Sequence, residues 1–261
     1  MSLHPNQVPI EGIHLGDCID LMRTLPDGCA QLVIADPPYN LGPRFGLEKE
    51  WVRDEKWLPW CREWLNESHR VLSHDGNLFV YGIHHYLCYL HVYLYEIGMK
   101  YRRQIIWNYE NGFTSYKRSL ATHYEPLLWF SKSDDYFFKE LREPYKSQER
   151  LKNRITKNGK VWTPHPEGRI AGDVWKFPTL AGRRFRDEKV DHPTQKPLSL
   201  SNRIVEHFSE PGSLIVVPFA GSGTECVAAA ANSRRYWGAE LNSSYVDIAR
   251  TRLQEFDNLS E

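Results

Sequence analysis

A carboxylate, two prolines and an aromatic ring stand together at Asp36-Pro37-Pro38-Tyr39, directly after the apolar run 32–35. The run is too short and too apolar for a surface helix, so it predicts a buried strand that the prolines end. Prolines lack N–H donors and fix φ, which makes the turn rigid and leaves its carbonyl oxygens free to accept hydrogen bonds. These groups suit a planar ligand with an exocyclic amine, such as adenine or cytosine. An ordinary strand-ending turn is the alternative, and this run of residues alone does not exclude it.

A second apolar run, 214–217, is followed by a glycine loop, residues 218–224, and by a predicted helix from Glu225 to Asn232. A strand, a glycine turn and a helix allow backbone N–H groups to approach a ligand closely. No Lys follows the second glycine and the full G-x-G-x-x-G pattern is absent, so a phosphate-binding P-loop is excluded.

A third predicted strand, beginning at Tyr236, ends at Glu240. Glu240 lies seventeen residues after Gly223, near the offset at which an acid meets a ribose in nucleotide-binding βαβ folds.

Together these segments resemble the β class of S-adenosylmethionine-dependent DNA amino-methyltransferases. In that family Asp-Pro-Pro-Tyr comes early, and Phe-x-Gly-x-Gly comes late, after a target-recognition insert. The resemblance covers nearly the whole chain, with further matches at residues 15–18, 25–28, 123–125 and 192–197.

The alternation of strand and helix patterns predicts an α/β fold with a mostly parallel sheet and helices on both faces. The resemblance implies a Rossmann-like methyltransferase sheet with a small recognition insert. We expect residues 1–138 to form the methyl-transfer half of the catalytic region, 139–189 the insert, and 190–261 the cofactor-binding half. In such sheets ligands lie outside the carboxyl ends of the strands, where Asp36 and Gly221 are expected to converge.

The resemblance implies that Asp36, Pro37, Pro38 and Tyr39 are the catalytic residues. Asp36 and the Pro37 carbonyl are expected to bind the amine hydrogens of a base flipped out of the duplex, and Tyr39 to stack on that base. The residues expected to contact the cofactor are Asp17, Cys18, Asp36, Lys196, Pro218, Phe219, Ala220, Gly221, Ser222, Gly223, Thr224, Glu240, Leu241 and Asn242.

Within the cofactor set, Gly221 and Gly223 are expected near the methionine portion and Glu240 on the ribose hydroxyls. For two residues of this set, a role other than cofactor binding stays open. Asp17 is expected to bind the cofactor's adenine amine or to cap a turn, and Lys196 to neutralise the methionine carboxylate or to contact solvent or DNA.

The resemblance favours adenine-N6 transfer, because Asp-Pro-Pro-Tyr is the commoner adenine form. Cytosine-N4 transfer with the same site is the alternative. The family usually has an acid before the Pro-Phe of the glycine loop, where this chain has Val217. Restoring that acid in Val217→Asp is expected to strengthen cofactor binding by about 1 kcal/mol. The same departure suits a third reading, a non-catalytic DNA-binding relative.

The chain has no net charge, but its charge is unevenly distributed. Residues 139–189 contain fourteen Lys and Arg against seven Asp and Glu, a net charge of +7, so the remainder carries −7. This asymmetry favours a phosphate-facing insert over a merely solvated surface. The residues expected to contact DNA are Lys152, Arg154, Lys157, Arg183, Arg184 and Arg186.

Composition narrows the remaining possibilities. Five cysteines without C-x-x-C spacing predict reduced thiols and no metal site. No long apolar segment or signal peptide is evident, which predicts a soluble cytoplasmic protein without a membrane partner. The expected partner is double-stranded DNA, and the resemblance leaves open a cognate restriction endonuclease and a homodimer.

Overall fold

The computed structural model describes residues 11–39, 54–82, 86–112, 117–118, 120–147, 149–152 and 154–260. The strands are β1 Gly12–Leu15, β2 Ala30–Ala35, β3 Leu72–Tyr81, β4 Lys100–Asn108, β5 Tyr124–Ser131, β6 Arg142–Glu143, β7 Ile155–Lys157, β8 Lys160–Trp162, β9 Arg169–Ile170, β10 Val174–Lys176, β11 Leu214–Val217 and β12 Arg235–Glu240. The helices are α1 Cys18–Met22, α2 Asp54–Val71, α3 Leu87–Glu96, α4 Glu149–Lys152, α5 Leu198–Phe208, α6 Thr224–Ala231 and α7 Ser243–Ser260.

Eight strands form the main sheet in the order β1-β12-β11-β2-β3-β5-β4-β10. All neighbouring strands are parallel except at β5, which is antiparallel to β3 and to β4. The predicted α/β, mostly parallel sheet is therefore confirmed. Strands β2, β11 and β12 end at one edge of the sheet, which we call the carboxyl edge, and β5 begins there.

Helices cover both faces of the sheet, as β2 illustrates. Its six residues are all buried. Val33 and Ala35 pack into a core with α1, α2 and α3, whereas Leu32 and Ile34 pack into a core with α5, α6 and α7. This alternation follows from the two-residue period of a strand, and burial on both faces explains why the sequence reads as a continuous apolar run.

The segment expected to form the insert, residues 139–189, is joined to the main sheet. Its strand β10 pairs with β4, and Trp175 of β10 is 2% exposed in the core beside Phe208. The other described strands of this segment form two small two-stranded sheets, β6 with β9 and β7 with β8. No described helix is long and apolar enough to cross a membrane.

Candidate active site

Strand β2 delivers Asp36 to the carboxyl edge between β11 and β3. The prolines end the ladder there, as predicted, because they have no N–H to donate. One predicted feature of this turn is wrong: the Pro38 carbonyl is not free, since it accepts a hydrogen bond of 2.9 Å from the Trp57 indole N–H. That bond ties the clamp, residues 36–39, to helix α2.

Both carboxylate oxygens of Asp36 have partners within the chain. The Lys196 ammonium lies 2.8 Å from Oδ2, and the Tyr39 hydroxyl donates a hydrogen bond to Oδ1. Lys196 is also 3.2 Å from Glu125 Oε2. One ammonium thus bridges two carboxylates, and the Asp36 side chain is held at both oxygens.

Lys196 is buried, with 4% of its side chain exposed. Burial alone would lower its pKa, but the carboxylates of Asp36 and Glu125 outweigh that effect and raise the pKa above the usual value. Its ammonium also lies within 6.0 Å of the ring centres of Tyr81, Tyr39 and Trp107, an arrangement that stabilises a desolvated cation.

This environment differs from both roles expected of Lys196, and its contact with a cofactor carboxylate stays a prediction. The sequence placed it on a methionine carboxylate or in contact with solvent or DNA. In the structure two carboxylates of the chain neutralise the ammonium, and almost none of it reaches solvent. Lys196 therefore packs against the clamp, where it holds Asp36.

Glu125 was not assigned a role by the sequence analysis. It lies near the start of β5, and because β5 is antiparallel to β3 its first residues lie at the carboxyl edge. The match at residues 123–125 was the available signal, but it did not indicate which side chain Glu125 would meet.

Tyr39 is part of a hydrogen-bonded group in this structure. Besides Asp36, its hydroxyl contacts Glu125 Oε2 at 3.4 Å and accepts a hydrogen bond of 3.3 Å from Lys196. Burial and the charges of Asp36 and Glu125 raise the Tyr39 pKa well above its usual value, so the phenol stays protonated. A small aromatic pocket adjoins the clamp and is lined by Pro37, Tyr39, Trp57, Tyr81, Gly82, Tyr86, Leu87 and Leu90.

The glycine loop lies at the same edge, between β11 and α6. Gly221 and Gly223 have φ of +49° and +77°, a region that favours glycine. A Cβ on Gly221 would lie 2.8 Å from His192 Nε2, and one on Gly223 would lie 2.7 Å from the Ala249 Cβ. The turn therefore requires both glycines.

Arg252 of α7, which sequence reasoning missed, holds the glycine loop. Its guanidinium donates to the Ser222 carbonyl at 2.6 Å and to the Thr224 hydroxyl at 2.9 Å. No local pattern links Arg252 to a loop about thirty residues earlier in the chain. Phe219 packs edge-to-face on Trp64 of α2, with ring centres 5.3 Å apart, and Pro218 and Ala220 are buried.

Glu240 connects β12 to the glycine loop. Its Oε2 accepts a hydrogen bond of 3.0 Å from the Gly221 N–H, and its Oε1 accepts one of 2.8 Å from the Asn242 N–H. Each carboxylate oxygen can accept more than one bond, so acceptor capacity remains for ribose hydroxyls. Leu241 beside it is 70% exposed, and the Asn242 side chain accepts from the Ser244 N–H at the start of α7.

Asp17 takes the capping role that was one of its two expected roles. Its Oδ1 accepts hydrogen bonds from the N–H groups of Ile19, at 2.8 Å, and Asp20, at 3.3 Å. Neither bond involves Oδ2. Cys18 is 5% exposed, and burial raises the pKa of its thiol, so its side chain is an unreactive part of the core.

Val217 faces the core of α5, α6 and α7 and is 1% exposed. An aspartate there would be buried in an apolar layer, which is costly for an unpaired carboxylate. Val217→Asp is therefore not expected to strengthen cofactor binding. A different acid, Glu225, is buried under the loop, where its Oε1 accepts a bond of 3.1 Å from the Ser201 hydroxyl.

The predicted DNA-contacting residues are all exposed. Arg183 and Arg184 lie in a 3₁₀ turn, Arg183–Phe185, with Arg186 directly after it. None of these arginines forms an ion pair with an acid in the described part of the chain, whereas Lys152 pairs with Glu149 at 2.6 Å. Among the described residues no cluster of His, Cys, Asp or Glu forms a metal site.

Comparison with known proteins finds DNA methylases among the family models and the relatives. The N6_N4_Mtase family model, described as DNA methylase, matches residues 30–251. The type II methyltransferase M1.MboII of Moraxella bovis is 32% identical over 95% of this chain and 98% of its own length. The DNA adenine methyltransferase YhdJ of Escherichia coli K12 is 31% identical over 91% of this chain and 81% of its own.

Solved structures share the fold. The putative DNA modification methylase TTHA0409 of Thermus thermophilus, complexed with S-adenosylmethionine, has a TM-score of 0.65 at 22% identity, covering 94% of both chains. The cytosine-N4-specific PvuII DNA methyltransferase has a TM-score of 0.69 at 16% identity, covering 95% of this chain and 91% of that one.

Proposed function

We propose that this chain, which belongs to the N6/N4 family of DNA methylases, transfers the methyl group of S-adenosylmethionine to the exocyclic N6 of adenine in DNA. The observation that carries the proposal is the Asp36 carboxylate, presented at the carboxyl edge beside a glycine loop. The adenine methyltransferase among the relatives supports the choice of base.

The residues at the carboxyl edge fit the cofactor. The glycine loop between β11 and α6 lies at this edge, and glycines in such a turn allow the backbone to approach a ligand closely. Glu240 offers acceptors for a ribose diol beside the loop, and exposed Leu241 offers apolar surface. When bound, S-adenosylmethionine supplies a methyl group on a sulfonium that is open to attack by a nucleophile.

The clamp must make a poor nucleophile reactive, because an exocyclic amine delocalises its lone pair into the ring. Asp36 and the Pro37 carbonyl accept the two amine hydrogens, which favours a pyramidal nitrogen and localises the lone pair. The remaining contribution is positioning and electrostatics. A proton leaves the nitrogen only after it has become cationic, and the Asp36 carboxylate is able to accept it.

Binding of the amine is expected to rearrange the contacts of Asp36. The Tyr39 hydroxyl occupies Asp36 Oδ1 and Lys196 occupies Oδ2. Lys196 is buried and doubly paired, so we propose that it stays. The amine of the base then replaces the Tyr39 hydroxyl, which frees the Tyr39 ring to stack on the base.

Tyr39→Phe tests this exchange. Phenylalanine keeps the ring and removes the competing hydroxyl, so kcat/KM should stay within about tenfold of the wild-type value, with no increase in the KM for DNA. Tyr39→Ala also loses the stacking surface, which is worth about 1–3 kcal/mol per base, and should fall much further. Steady-state methylation kinetics measure both. A loss in Tyr39→Phe as large as in Tyr39→Ala would assign the hydroxyl an essential role instead.

The base is identified by product analysis. Duplex DNA is incubated with the protein and methyl-labelled S-adenosylmethionine, digested to nucleosides and analysed by mass spectrometry. We expect N6-methyladenine. Label in N4-methylcytosine would establish the alternative, and DNA without label would establish a non-catalytic relative.

We further propose that the insert reads the DNA sequence through Arg183, Arg184 and Arg186. Arginine recognises guanine edges with its bidentate fork, worth about 1–3 kcal/mol per good contact. The three arginines are exposed and have no acidic partner among the described residues, which supports a role in contacting DNA. The substrate in this proposal is double-stranded DNA. The type II names of relatives suggest a cognate restriction endonuclease as a partner. A homodimer stays a prediction.

Replacing the three arginines by alanine should abolish discrimination between the cognate duplex and duplexes with one changed base pair. Methylation rates on both kinds of duplex measure it, with the melting temperature as a check on folding. Equal loss on every duplex together with a lowered melting temperature would show that the arginines only support the fold.

A further inference from the structure

The hairpin formed by β7 and β8, residues 155–162, protrudes from the insert as its own two-stranded sheet. All six of its strand residues are exposed. Its turn residues Asn158 and Gly159 both have positive φ, 51° and 73°, which is the two-residue turn whose twist matches that of the flanking strands. The hairpin's shape is therefore set locally, without burial of its side chains.

One face of the hairpin combines apolar surface with positive charge. Ile155 lies opposite Trp162, and Lys157 lies opposite Lys160, so the two-residue period puts these four side chains on the same face. Trp162 is 62% exposed and Ile155 is 45% exposed. Tryptophan is highly buried on average, so this ring is an unusual surface feature.

The charge on this face selects the kind of partner. Neither Lys157 nor Lys160 pairs with an acid in the part of the chain that the structure describes, and Arg154 precedes them on the same segment. A second copy of the chain, bound through the same face about a two-fold axis, would bring lysines toward lysines. A polyanion neutralises them, and nucleic acid joins phosphates to flat apolar bases.

We infer that this hairpin docks onto the DNA duplex, with Lys157 and Lys160 on backbone phosphates and the Trp162 ring, backed by Ile155, packed on a base that is unstacked from its neighbours. This inference rests on the proposed function, and it adds the hairpin as an element that binds the DNA duplex where a base is unstacked. A two-stranded ribbon fits a DNA groove, and aromatic rings stack on unstacked bases regardless of sequence.

Binding to short fluorescein-labelled duplexes, fully paired or with a central mismatch, tests the inference without knowledge of the recognition site. The mismatch provides an easily unstacked base. Fluorescence anisotropy is measured over a range of salt concentrations for wild type, Trp162→Ala, Trp162→Phe and the Lys157→Ala/Lys160→Ala variant. Lys100→Ala and Tyr95→Ala, two exposed positions away from the insert hairpin, are the matched controls.

Trp162→Ala should lose about tenfold in affinity for the mismatched duplex with an unchanged salt dependence, and Trp162→Phe should retain most of it. The double lysine variant should weaken binding to both duplexes and reduce the slope of log affinity against log salt by about two units. The melting temperatures should not change, because the hairpin side chains are exposed.

Several outcomes would overturn the inference. One is wild-type binding by Trp162→Ala and by the double lysine variant. Another is a change of oligomeric state in Trp162→Ala by analytical ultracentrifugation, which would make the hairpin a contact between copies. Product analysis distinguishes failure of this inference from failure of the proposed function. If adenine is methylated but the hairpin variants bind DNA as wild type does, only the hairpin inference is wrong. If DNA binding depends on the hairpin but no base is methylated, only the proposed reaction is wrong.

Discussion

Asp36→Ala is expected to lower kcat by about 10³-fold or more while the protein stays folded and still binds S-adenosylmethionine. The variant removes the acceptor that the amine needs in the transition state, and one such preorganised contact is worth about 10²–10³ in rate. Asp36 lies outside the buried part of β2 and is partly exposed, and Glu125 still pairs with Lys196 in the variant, so we expect the protein to stay folded. Tritium transfer from labelled cofactor and calorimetric cofactor titration measure the two properties separately.

Asp135→Ala, an exposed aspartate away from the clamp, is the matched control and should behave as wild type. Asp36→Asn separates the charge from the shape, since the amide keeps one acceptor oxygen. We expect it to be nearly as inactive as Asp36→Ala. Activity of Asp36→Ala within tenfold of wild type would remove Asp36 from the catalytic role.

Lys196→Met should have the second largest effect, on both stability and rate. The substitution leaves Asp36 and Glu125 without their shared cation, and breaking a buried ion pair on one side costs about 3–5 kcal/mol. Two unpaired carboxylates in one site retain a proton to higher pH, and a protonated clamp cannot accept the amine hydrogens as well. We therefore expect kcat to fall about 10²-fold and the acid limb of the pH–rate profile to move to higher pH.

The raised pKa of Lys196 sets where its stabilising contribution applies. A cation whose pKa is higher in the folded state stabilises fully below its unfolded pKa and loses that effect as pH rises through the folded value. The contribution is therefore complete throughout the neutral range. The destabilisation of Lys196→Met should be undiminished at neutral pH and shrink only under strongly alkaline conditions, as pH-dependent thermal melts would show.

The double variant Lys196→Met/Glu125→Gln distinguishes a positioning role from a merely structural one. Removing one carboxylate restores part of the charge balance, so the double variant should recover much of the lost melting temperature. If Lys196 orients Asp36, kcat should stay low despite that recovery. Recovery of kcat together with stability, and no shift in the pH–rate profile of Lys196→Met, would show that Lys196 serves folding alone.

Local sequence pattern predicted the strands and helices that carry continuous apolar or amphipathic signals. The pattern of residues 198–208 predicts a helix, and helix α5 has those bounds; the apolar run 126–130 predicts a strand, and β5 spans Tyr124–Ser131. Burial on both faces makes β2 and β11 conspicuous as uninterrupted apolar runs. Strands β1 and β10 were missed, because they are short strands at the two ends of the sheet and lack such runs.

Contacts between distant residues of the site were harder to predict from the sequence than the identity of single site residues. The sequence identified residues whose role depends on their neighbours in the chain. Asp36 precedes a proline turn, the loop glycines allow a left-handed backbone, and Glu240 ends a strand. Arg252 and Glu125 depend on elements far away in the chain. An arginine inside an ordinary helix and a glutamate near the start of a strand carry no local sign of what they will contact.

The sequence by itself determined the strands and turns at the carboxyl edge, because prolines, glycines and apolar runs constrain the backbone locally whatever surrounds them. Only the tertiary structure decided which charges meet. The reversal of β5 brings Glu125 to the edge where β2 ends, and the segment before α5 inserts Lys196 between Glu125 and Asp36. An ion pair depends on distances in space, and residues separated by up to 160 positions in the chain become neighbours only when the sheet has assembled.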